Sequence, residues 1–389
     1  MRLTNEQLNE IKEKFDVTDL WSWSRFHTYE TSPFEYFLKY VIKKKPDKTD
    51  SAYAPYGAIC HEILEKYYLG EIKYEEMISE FEDNVFTLEL GDFKFNRTDE
   101  EKNKNIKEKY YENIEHFFKN HTKITDEFEI ERFIPIKVGN YVFQGYIDML
   151  RKDKDGNHII QDWKTSTIYK GEKIIKEAPQ LVLYAEGIRQ MGVPIEKIKC
   201  CWNFLKYVNV SIEQANGNVK ERQIERCKLG SSLIATVKMW LKKLGYTENM
   251  EYYIDSVLSS NSLNNLPNDV KSKFKIEDCY VYIPYTIDTI NEIKKRILST
   301  IPEIIDKTNT YWTTTDEKVF YDDEEKVKKE SFYFANLCEY SANLHKPYAN
   351  YLKTLEENDL FTGVGVDKDK CLDNEKITLD DDMSWLDEI

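Results

Sequence analysis

Residues 128–166 read FEIERFIPIKVGNYVFQGYIDMLRKDKDGNHIIQDWKTS, and this stretch decides the fold. Its apolar residues alternate with polar ones or form short continuous runs, which is typical of half-buried and buried strands. The turn sequences VGN at 138–140 and KDGN at 154–157 interrupt the pattern. Glycine and asparagine are residues that tight turns favour. The stretch is therefore predicted to form consecutive strands of a meander.

The second turn is predicted to bring two carboxylates and a lysine together. In a hairpin centred on Asp155, Asp148 and Asp162 each lie seven positions from the centre, so they face each other. Lys164 shares the face of Asp162 because side chains alternate along a strand. Facing carboxylates repel each other, and a divalent cation such as Mg²⁺ would remove that repulsion and support hydrolysis of a phosphodiester. A solvent-facing hairpin with ordinary charge pairs is the alternative, since 32% of the residues are charged.

The helix predicted for GAICHEILEKYYLG, residues 57–70, places Gly57 and His61 on one face because they are four residues apart. Glycine at this position would allow another backbone to approach closely. Histidine is a frequent ligand of divalent ions, so His61 is a candidate metal ligand. A partly buried structural histidine is the alternative for His61 taken alone.

A second helix, predicted over about 178–191, carries Gln180 and Tyr184 four residues apart. The functional interpretation is a polar pair at the rim of a site, where it would contact a phosphate or a base. The alternative is an ordinary amphipathic helix that tolerates a glutamine.

The other segments decide the fold class. Strands are predicted at 199–212 and 279–287. Further helices and loops follow from helical spacing and polar composition: helices at 5–15, from Ser32-Pro33 onward, at 101–119, 231–244 and 288–305, and loops at 213–227 and 261–273. Helices, a strand meander, a helix and a strand in that order predict an α/β or α+β core rather than a helical bundle.

Four regions are predicted from these patterns. They are an N-terminal helical region at 1–125, core strands with the following helix at 126–212, a helical and strand insertion with a closing region at 213–360, and an acidic, flexible tail at 361–389.

The tail carries nine acidic residues and three lysines between positions 367 and 389, a net charge of −6, so the rest of the chain carries −9. Its tip is amphipathic and presents Trp385, Leu386 and Ile389 among acids. Two functional interpretations are a docking peptide for a partner protein and an intramolecular mimic of DNA. A solubilising end is the alternative.

The composition limits the class of protein. The 389 residues are 41% hydrophobic and 14% aromatic, with few Gly and Pro, which excludes a mostly disordered chain. No apolar run approaches the roughly 18 residues that span a bilayer, and the N-terminal sequence lacks signal-peptide features, so a soluble cytoplasmic protein without membrane contact is expected. Seven scattered Cys argue against a disulfide framework. A net charge of −15 disfavours a protein that coats DNA but allows an enzyme with one local groove.

The motifs in their order resemble the PD-(D/E)xK nuclease superfamily, in particular the RecB-type branch that includes AddB nuclease domains and the CRISPR-adaptation exonucleases. Four motifs carry the resemblance: Gly57-x-x-x-His61, Gly145-Tyr146-Ile147-Asp148, Asp162-Trp163-Lys164-Thr165-Ser166 and Gln180-x-x-x-Tyr184. It extends over about residues 21–210 and implies a central mixed sheet flanked by helices. Ile147 stands where the name of the superfamily expects proline.

The resemblance implies hydrolysis of DNA with Mg²⁺ or Mn²⁺. It makes four groups the metal ligands, which are His61, Asp148, Asp162 and the Trp163 carbonyl. Lys164 would be the catalytic lysine. DNA contacts are implied for the remaining motif residues, which are Gly57, Thr165, Ser166, Gln180 and Tyr184.

Many relatives hold an iron–sulfur cluster through one Cys before the first helix and three near the C-terminus. This sequence has Ser32 at the first position, keeps Cys338, and has Ser341 where a further Cys would stand. Thiolates are the ligands that such clusters require, so no iron–sulfur cluster is expected. Aromatic packing is expected to close this region instead, through Tyr333, Tyr340 and Tyr348.

The sequence therefore predicts a metal-dependent DNA nuclease, more an exonuclease than an endonuclease, that acts in DNA replication, recombination or repair. A phage or plasmid would suit such a stand-alone nuclease. The alternatives are an RNA endonuclease with the same residues and a non-catalytic DNA-binding or adaptor protein on the nuclease fold. DNA is the expected partner of the site. A helicase, a single-stranded-DNA-binding protein or another recombination protein is the expected partner of the tail.

Overall fold

The meander predicted at 128–166 is present and lies at the centre of a seven-stranded sheet. The structure, a computed structural model, describes residues 2–362. Its strands are β1 Trp21–Ser22, β2 Glu127–Val138, β3 Tyr141–Lys152, β4 His158–Lys164, β5 Ile198–Glu213, β6 Val219–Glu225 and β7 Phe274–Ile283. Its α-helices are α1 Asn5–Phe15, α2 Trp23–Thr31, α3 Pro33–Tyr36, α4 Tyr53–Leu69, α5 Tyr74–Leu90, α6 Glu100–Asn120, α7 Glu172–Glu177, α8 Pro179–Gln190, α9 Leu229–Lys243, α10 Met250–Ser260, α11 Asn268–Lys271, α12 Ile287–Thr314, α13 Glu324–Lys329 and α14 Lys346–Thr362.

The sheet is mixed, as predicted. Its strand order is β1-β3-β4-β5-β6, with β2 paired to β3 and β7 paired to β5. Strands β2, β3 and β4 run antiparallel, as a meander requires, whereas β4 and β5 run parallel. A parallel pair needs a crossover connection, which α8 provides. The predicted class, a central mixed sheet flanked by helices, is confirmed.

Two apolar clusters cover opposite faces of the sheet. Phe204 of β5 belongs to the larger cluster and Leu205 to the smaller one, and neighbouring strand residues point to opposite faces. The larger cluster takes side chains from α2, α3, α8 and α12, and the smaller one from α4, α5 and α6. Within residues 2–362, every helix is too short or too polar to cross a bilayer.

The prediction of a loop at 213–227 is wrong, because β6 lies there and pairs antiparallel with β5. Most side chains of β6 are polar and exposed, so the strand lacks the apolar alternation that would have marked it. The loop predicted at 261–273 is wrong in part, since it contains α11 and buries three apolar side chains, which are Leu263, Leu266 and Val270. The helix predicted at 288–305 continues through Pro302 to Thr314. Helices α5 and α10 lie in segments for which no element is predicted above.

Ser32 is buried in a hydrogen-bonded cluster that joins the N-terminal helices to the C-terminal segment. Its hydroxyl caps α3 by accepting the Glu35 N–H at 3.0 Å, and it donates to Asp322 Oδ2 at 2.8 Å. His345 Nε2 lies 3.0 Å from the same hydroxyl. Burial raises the pKa of Asp322 to about 6 and lowers the pKa of His345 to about 4. The N-terminal and C-terminal parts of the chain are therefore linked by polar contacts at Ser32.

The three tyrosines expected to close this region make hydrogen bonds as well as apolar contacts. Tyr333 donates to Glu35 Oε2 at 2.6 Å, and Tyr340 donates to the Lys44 carbonyl at 2.9 Å. The Tyr348 ring stacks on Phe334 with ring centroids 5.4 Å apart.

A buried carboxylate on α8 holds α12 against the core. Glu186 is 1% exposed and forms ion pairs with Arg189 Nε at 2.6 Å and with Lys294 Nζ at 2.7 Å. Burial alone would raise the pKa of Glu186, but these partners outweigh burial and lower the pKa to about 2. Because α8 also carries Gln180 and Tyr184, this pairing fixes part of the wall of the site described below.

The substitution Glu186→Gln is expected to lower the free energy of unfolding at neutral pH by about 1–2 kcal/mol, because the partly exposed Arg189 and Lys294 lose their buried partner. The folded-state pKa lies below the ordinary value of 4.5. The wild-type advantage is therefore complete above about pH 4.5 and is lost as the pH falls toward 2. Urea unfolding of both proteins across this pH range measures it. The exposed Glu196→Gln is the matched control, and equal stability of both variants at pH 7 would contradict the prediction.

Candidate active site

His61 lies on α4, which packs one face into the smaller apolar cluster. Ile63 and Leu64 are buried there, and the helix ends at Gly70, whose φ of 77° favours glycine. His61 is on the side that meets β3 and β4, where its ring contacts Trp163 edge to face with centroids 5.8 Å apart. The predicted helix is thus confirmed, and it carries His61 to the sheet.

The pairing between β3 and β4 has the predicted register. Their last paired residues are Met149 and Gln161, whose mean position is 155. Asp148 and Asp162 are the next positions, where the strands no longer pair as a ladder. Because the β3–β4 ladder ends there, backbone groups of β4 can contact the Asp148 side chain.

Asp148 joins α4 to β4. Its Oδ2 accepts the Trp163 N–H at 2.9 Å and lies 3.3 Å from His61 Nδ1. The other ring nitrogen, His61 Nε2, lies 2.8 Å from the Trp163 carbonyl oxygen. Both ring nitrogens therefore face oxygen acceptors, an arrangement that a doubly protonated imidazolium satisfies completely.

The electrostatics agree with this geometry. Burial opposes the charge on His61, but the neighbouring Asp148 carboxylate raises the pKa of His61 to about 9. Burial alone would raise the pKa of Asp148, and the His61 charge together with the Trp163 N–H holds it below its ordinary value instead. The pair is therefore charged at neutral pH.

Asp162 and Lys164 form the second half of the site. Lys164 Nζ lies 2.8 Å from Asp162 Oδ2, and this oxygen is buried without a hydrogen bond of acceptable geometry to any of residues 2–362. Burial raises the pKa of Asp162, and Lys164 opposes that rise only in part. For Lys164, burial lowers the pKa, but Asp162 more than compensates and the pKa is raised. We call His61, Asp148, Asp162, Trp163 and Lys164 the site cluster.

Gly145 allows a tyrosine from α8 to reach the sheet beside the site cluster. A Cβ at this position would lie 2.3 Å from Tyr184 Cε1 and 2.8 Å from its hydroxyl oxygen. Gln180 Nε2 donates to that hydroxyl at 3.1 Å. Burial raises the pKa of Tyr184 to about 12, so its hydroxyl stays protonated. Gln180 and Tyr184 therefore form a hydrogen-bonded pair. The absence of a side chain at Gly145 leaves the room that the Tyr184 ring occupies.

A groove of about 800 Å³ opens beside the site cluster. It is lined by Gly57, His61, Asp148, Gln180 and Tyr184 among the predicted residues, and by Arg2, Glu62, Glu65, Glu131 and Tyr146 among others. Residues of α4, α8, β2 and β3 line the groove.

The family model of the PD-(D/E)XK nuclease superfamily matches residues 20–275. The chain belongs to the PD-(D/E)XK nuclease superfamily. A search of curated proteins found no match. The matched residues include the whole site cluster and strands β1 to β6, so membership agrees with the fold and implies a nuclease, which is a phosphodiesterase.

Members of the PD-(D/E)XK superfamily generally use divalent metals such as Mg²⁺. The site cluster fits such an ion. His61 Nε2 and the Trp163 carbonyl oxygen lie 2.8 Å apart, close to the roughly 3 Å between adjacent ligands of an octahedral Mg²⁺ ion. Asp148 lies beside both and would supply the carboxylate. His61 would give up its second ring proton on binding, since only an unprotonated nitrogen is a ligand.

Asp162 lies near enough to Asp148 and His61 for their charges to affect its pKa, and it is paired with Lys164. Within residues 2–362, no group of three His, Cys, Asp or Glu side chains is gathered as a metal-binding set. The reason is visible in the contacts, because Asp162 is ion-paired with Lys164 and one of the fitting ligands is a backbone carbonyl. Mg²⁺ keeps several waters and needs only one or two carboxylates, so this arrangement suffices.

Glu131 is a groove residue that the sequence analysis missed. It stands opposite Asp148, since its neighbours Ile130 and Arg132 pair with Met149 and Ile147. Its φ of 49° is left-handed, which costs a residue other than glycine roughly 1–3 kcal/mol. Burial and the Asp148 charge raise its pKa. Such strain is often found at functional sites, and we include Glu131 as a proposed site residue. No signal in the sequence marked Glu131, because an acidic residue is ordinary in a strand where polar and apolar residues alternate.

Three predicted DNA-contacting residues lie near the groove in different ways. Gly57 lines the groove, but no backbone within residues 2–362 approaches it as closely as predicted. A Cβ built at this position would have Thr165 Oγ1 as its nearest neighbour, at 3.5 Å. Thr165 is thus beside Gly57, whereas Ser166 Oγ contacts the Tyr169 hydroxyl at 3.3 Å. The predicted tail residues lie outside the described residues, and they are Trp385, Leu386 and Ile389.

The substitution Gly145→Ala is expected to lower nuclease activity about 10- to 100-fold and the free energy of unfolding by about 1–3 kcal/mol, because the new methyl overlaps the Tyr184 ring. Either the ring or β3 must shift, and β3 carries Asp148. Gly57→Ala is the matched control, because its Cβ makes an ordinary contact and alanine favours a helix. Cleavage rates and urea unfolding of both variants test this expectation. Equal rates and equal stabilities of the two variants would contradict the steric argument.

Proposed function

We propose that this chain is a divalent-metal-dependent deoxyribonuclease, and that it acts as an exonuclease in DNA replication, recombination or repair. The observation that carries the proposal is the convergence of His61, Asp148 and the Trp163 carbonyl, within 3.3 Å contacts, beside the Asp162–Lys164 pair. The Gln180–Tyr184 unit at the groove supports DNA as the substrate, through the resemblance to the RecB-type branch.

His61, Asp148, Asp162 and the Trp163 carbonyl would hold Mg²⁺ or Mn²⁺. The ion supplies polarisation of the phosphodiester and a lower pKa for water. Asp148 orients His61 and fixes the backbone of β4 through the Trp163 N–H, so the carbonyl of the same residue points to His61. Preorganised groups of this kind stabilise a transition state without rearranging during the reaction.

Lys164 supplies the positive charge of the reaction. Its ammonium is held by Asp162 and stays protonated, because its pKa is raised. We propose that it stabilises negative charge on the phosphate and positions the attacking water in line with the leaving oxygen. Tyr184, kept protonated and hydrogen-bonded to Gln180, would donate to a substrate phosphate at the wall of the groove.

A cleavage assay tests the proposal with single- and double-stranded DNA, each linear and covalently closed circular, in Mg²⁺, Mn²⁺ and EDTA. Metal-dependent loss of linear DNA alone is the expected result. Cutting of circles would replace the exonuclease with an endonuclease, and cleavage of an RNA of matched sequence alone would replace the substrate. Binding of DNA without hydrolysis in any metal would favour a non-catalytic protein on the nuclease fold.

A further inference from the structure

The groove beside the site cluster is lined by more acidic than basic side chains. Its lining includes four carboxylates, which are Glu62, Glu65, Glu131 and Asp148. Arg2 is the single Lys or Arg that lines the groove within residues 2–362. A nucleic acid carries one negative charge per nucleotide, so an acidic wall repels it unless cations hold its phosphates. Among residues 2–362, the cationic side chains that line the groove are therefore His61, which belongs to the site cluster, and Arg2, which lies outside it.

The chain positions Arg2 through Tyr146 of β3. The guanidinium lies over the Tyr146 ring, with Cζ 5.6 Å from the centroid. The next residue, Leu3, donates its N–H to the Tyr146 hydroxyl at 2.9 Å. Thr4 then caps α1, with its N–H donating to Gln7 Oε1 at 2.9 Å. The arm formed by residues 2–4 is thus attached to the sheet on one side and to a helix on the other.

The donors of Arg2 are available to a ligand. Within residues 2–362, Arg2 forms no ion pair; its guanidinium lies over the face of the Tyr146 ring, and its charge opposes the rise in the pKa of Glu131. A guanidinium stacked on an aromatic face still presents N–H groups at its edge, and it binds phosphate with two parallel hydrogen bonds. Tyr146 precedes Asp148 by two residues, which places it about 7 Å along the strand from the site cluster.

We propose that Arg2 is a phosphate anchor of the groove, which binds the backbone phosphate next to the one at the site cluster. This inference rests on the proposed nuclease function and adds a substrate-binding residue to it. The contact is with the phosphate rather than with a base, so it would act on any sequence. Tyr146 would act as the support that keeps the guanidinium in place.

Binding measurements test the anchor apart from catalysis. The full chain with Lys164→Ala is titrated with a labelled single-stranded DNA, and anisotropy is followed from about 50 to 300 mM NaCl. Adding Arg2→Ala is expected to weaken binding about tenfold, the size of one charge-assisted hydrogen-bonded contact. The slope of log K against log salt should fall by about 0.7, since one phosphate contact is lost from a single strand. Arg2→Glu should weaken binding further.

Two variants make the result specific. Lys14→Ala removes the same charge from α1, where the side chain is exposed and does not line the groove. Tyr146→Phe keeps the ring but removes the hydrogen bond from Leu3, and it should give an intermediate loss. If Arg2→Ala binds as tightly as its parent and with the same salt slope, or if Lys14→Ala loses as much, the anchor is overturned while the nuclease function stands. If neither the wild type cleaves nor the Lys164→Ala chain binds, the nuclease function itself fails and the anchor fails with it.

Discussion

Lys164→Ala is expected to lower the rate of phosphodiester hydrolysis about 100- to 1,000-fold, because the reaction loses its one preorganised cation beside the scissile phosphate. The loss should appear in the rate at saturating DNA rather than in the affinity for DNA. Lys164 is paired with Asp162 and buried among site residues, whereas the groove surface offers Arg2 and uncharged donors to the substrate. Single-turnover cleavage with excess enzyme measures this rate without a contribution from product release.

The same substitution leaves Asp162 as a buried carboxylate without its cation. Its pKa, already raised by burial, should rise further, and the free energy of unfolding should fall by about 1–3 kcal/mol. Asp162→Asn added to Lys164→Ala should recover part of that stability but none of the activity. Lys154→Ala, in the exposed turn of the same hairpin, is the matched control. Cleavage at the wild-type rate by Lys164→Ala would remove this lysine from the mechanism.

The centre of the fold was predictable because its elements have local signals. The turns at 138–140 and 154–157 set the hairpin register, and that register alone placed Asp148 and Asp162 at neighbouring positions. The Ser32-Pro33 helix start and the Gly70 helix end were marked by residues with one dominant conformational role. Strand β6 had no such signal, since its stability comes from pairing with β5 rather than from a buried face.

The proximity of the candidate residues was predictable, and their contacts were not. The resemblance to the nuclease superfamily implies that His61 and Asp148 lie together, but only the packing of α4 on the sheet shows that the ring bridges a carboxylate and a backbone carbonyl. The position of Glu131 in the groove depends on its left-handed backbone conformation, which a glutamate in the sequence does not indicate. Arg2 depends on a terminal arm whose position is decided by Tyr146, more than 140 residues away in the chain. Contacts of such long range leave no periodic pattern in a sequence.

Asp148→Asn is expected to weaken metal binding at least about tenfold and to lower the rate of hydrolysis at least about 1,000-fold. The amide oxygen can still accept the Trp163 N–H, so β3 and β4 keep their connection and the fold persists. What disappears is the negative charge beside His61. The pKa of His61, about 9 in the metal-free protein, should then fall, because burial disfavours its charged form and the opposing carboxylate is gone.

Two measurements separate this variant from Lys164→Ala. Isothermal titration with Mn²⁺ should show binding by Lys164→Ala and a loss of at least about tenfold in affinity for Asp148→Asn. The imidazole resonances of His61, followed by NMR against pH, should titrate lower in Asp148→Asn than in the wild type. Asp155→Asn, exposed in the hairpin turn, should match the wild type in both. Undiminished Mn²⁺ affinity in Asp148→Asn would mean that this carboxylate only positions His61 and Trp163, and Glu131 and Asp162 would then be the carboxylates left as candidate metal ligands.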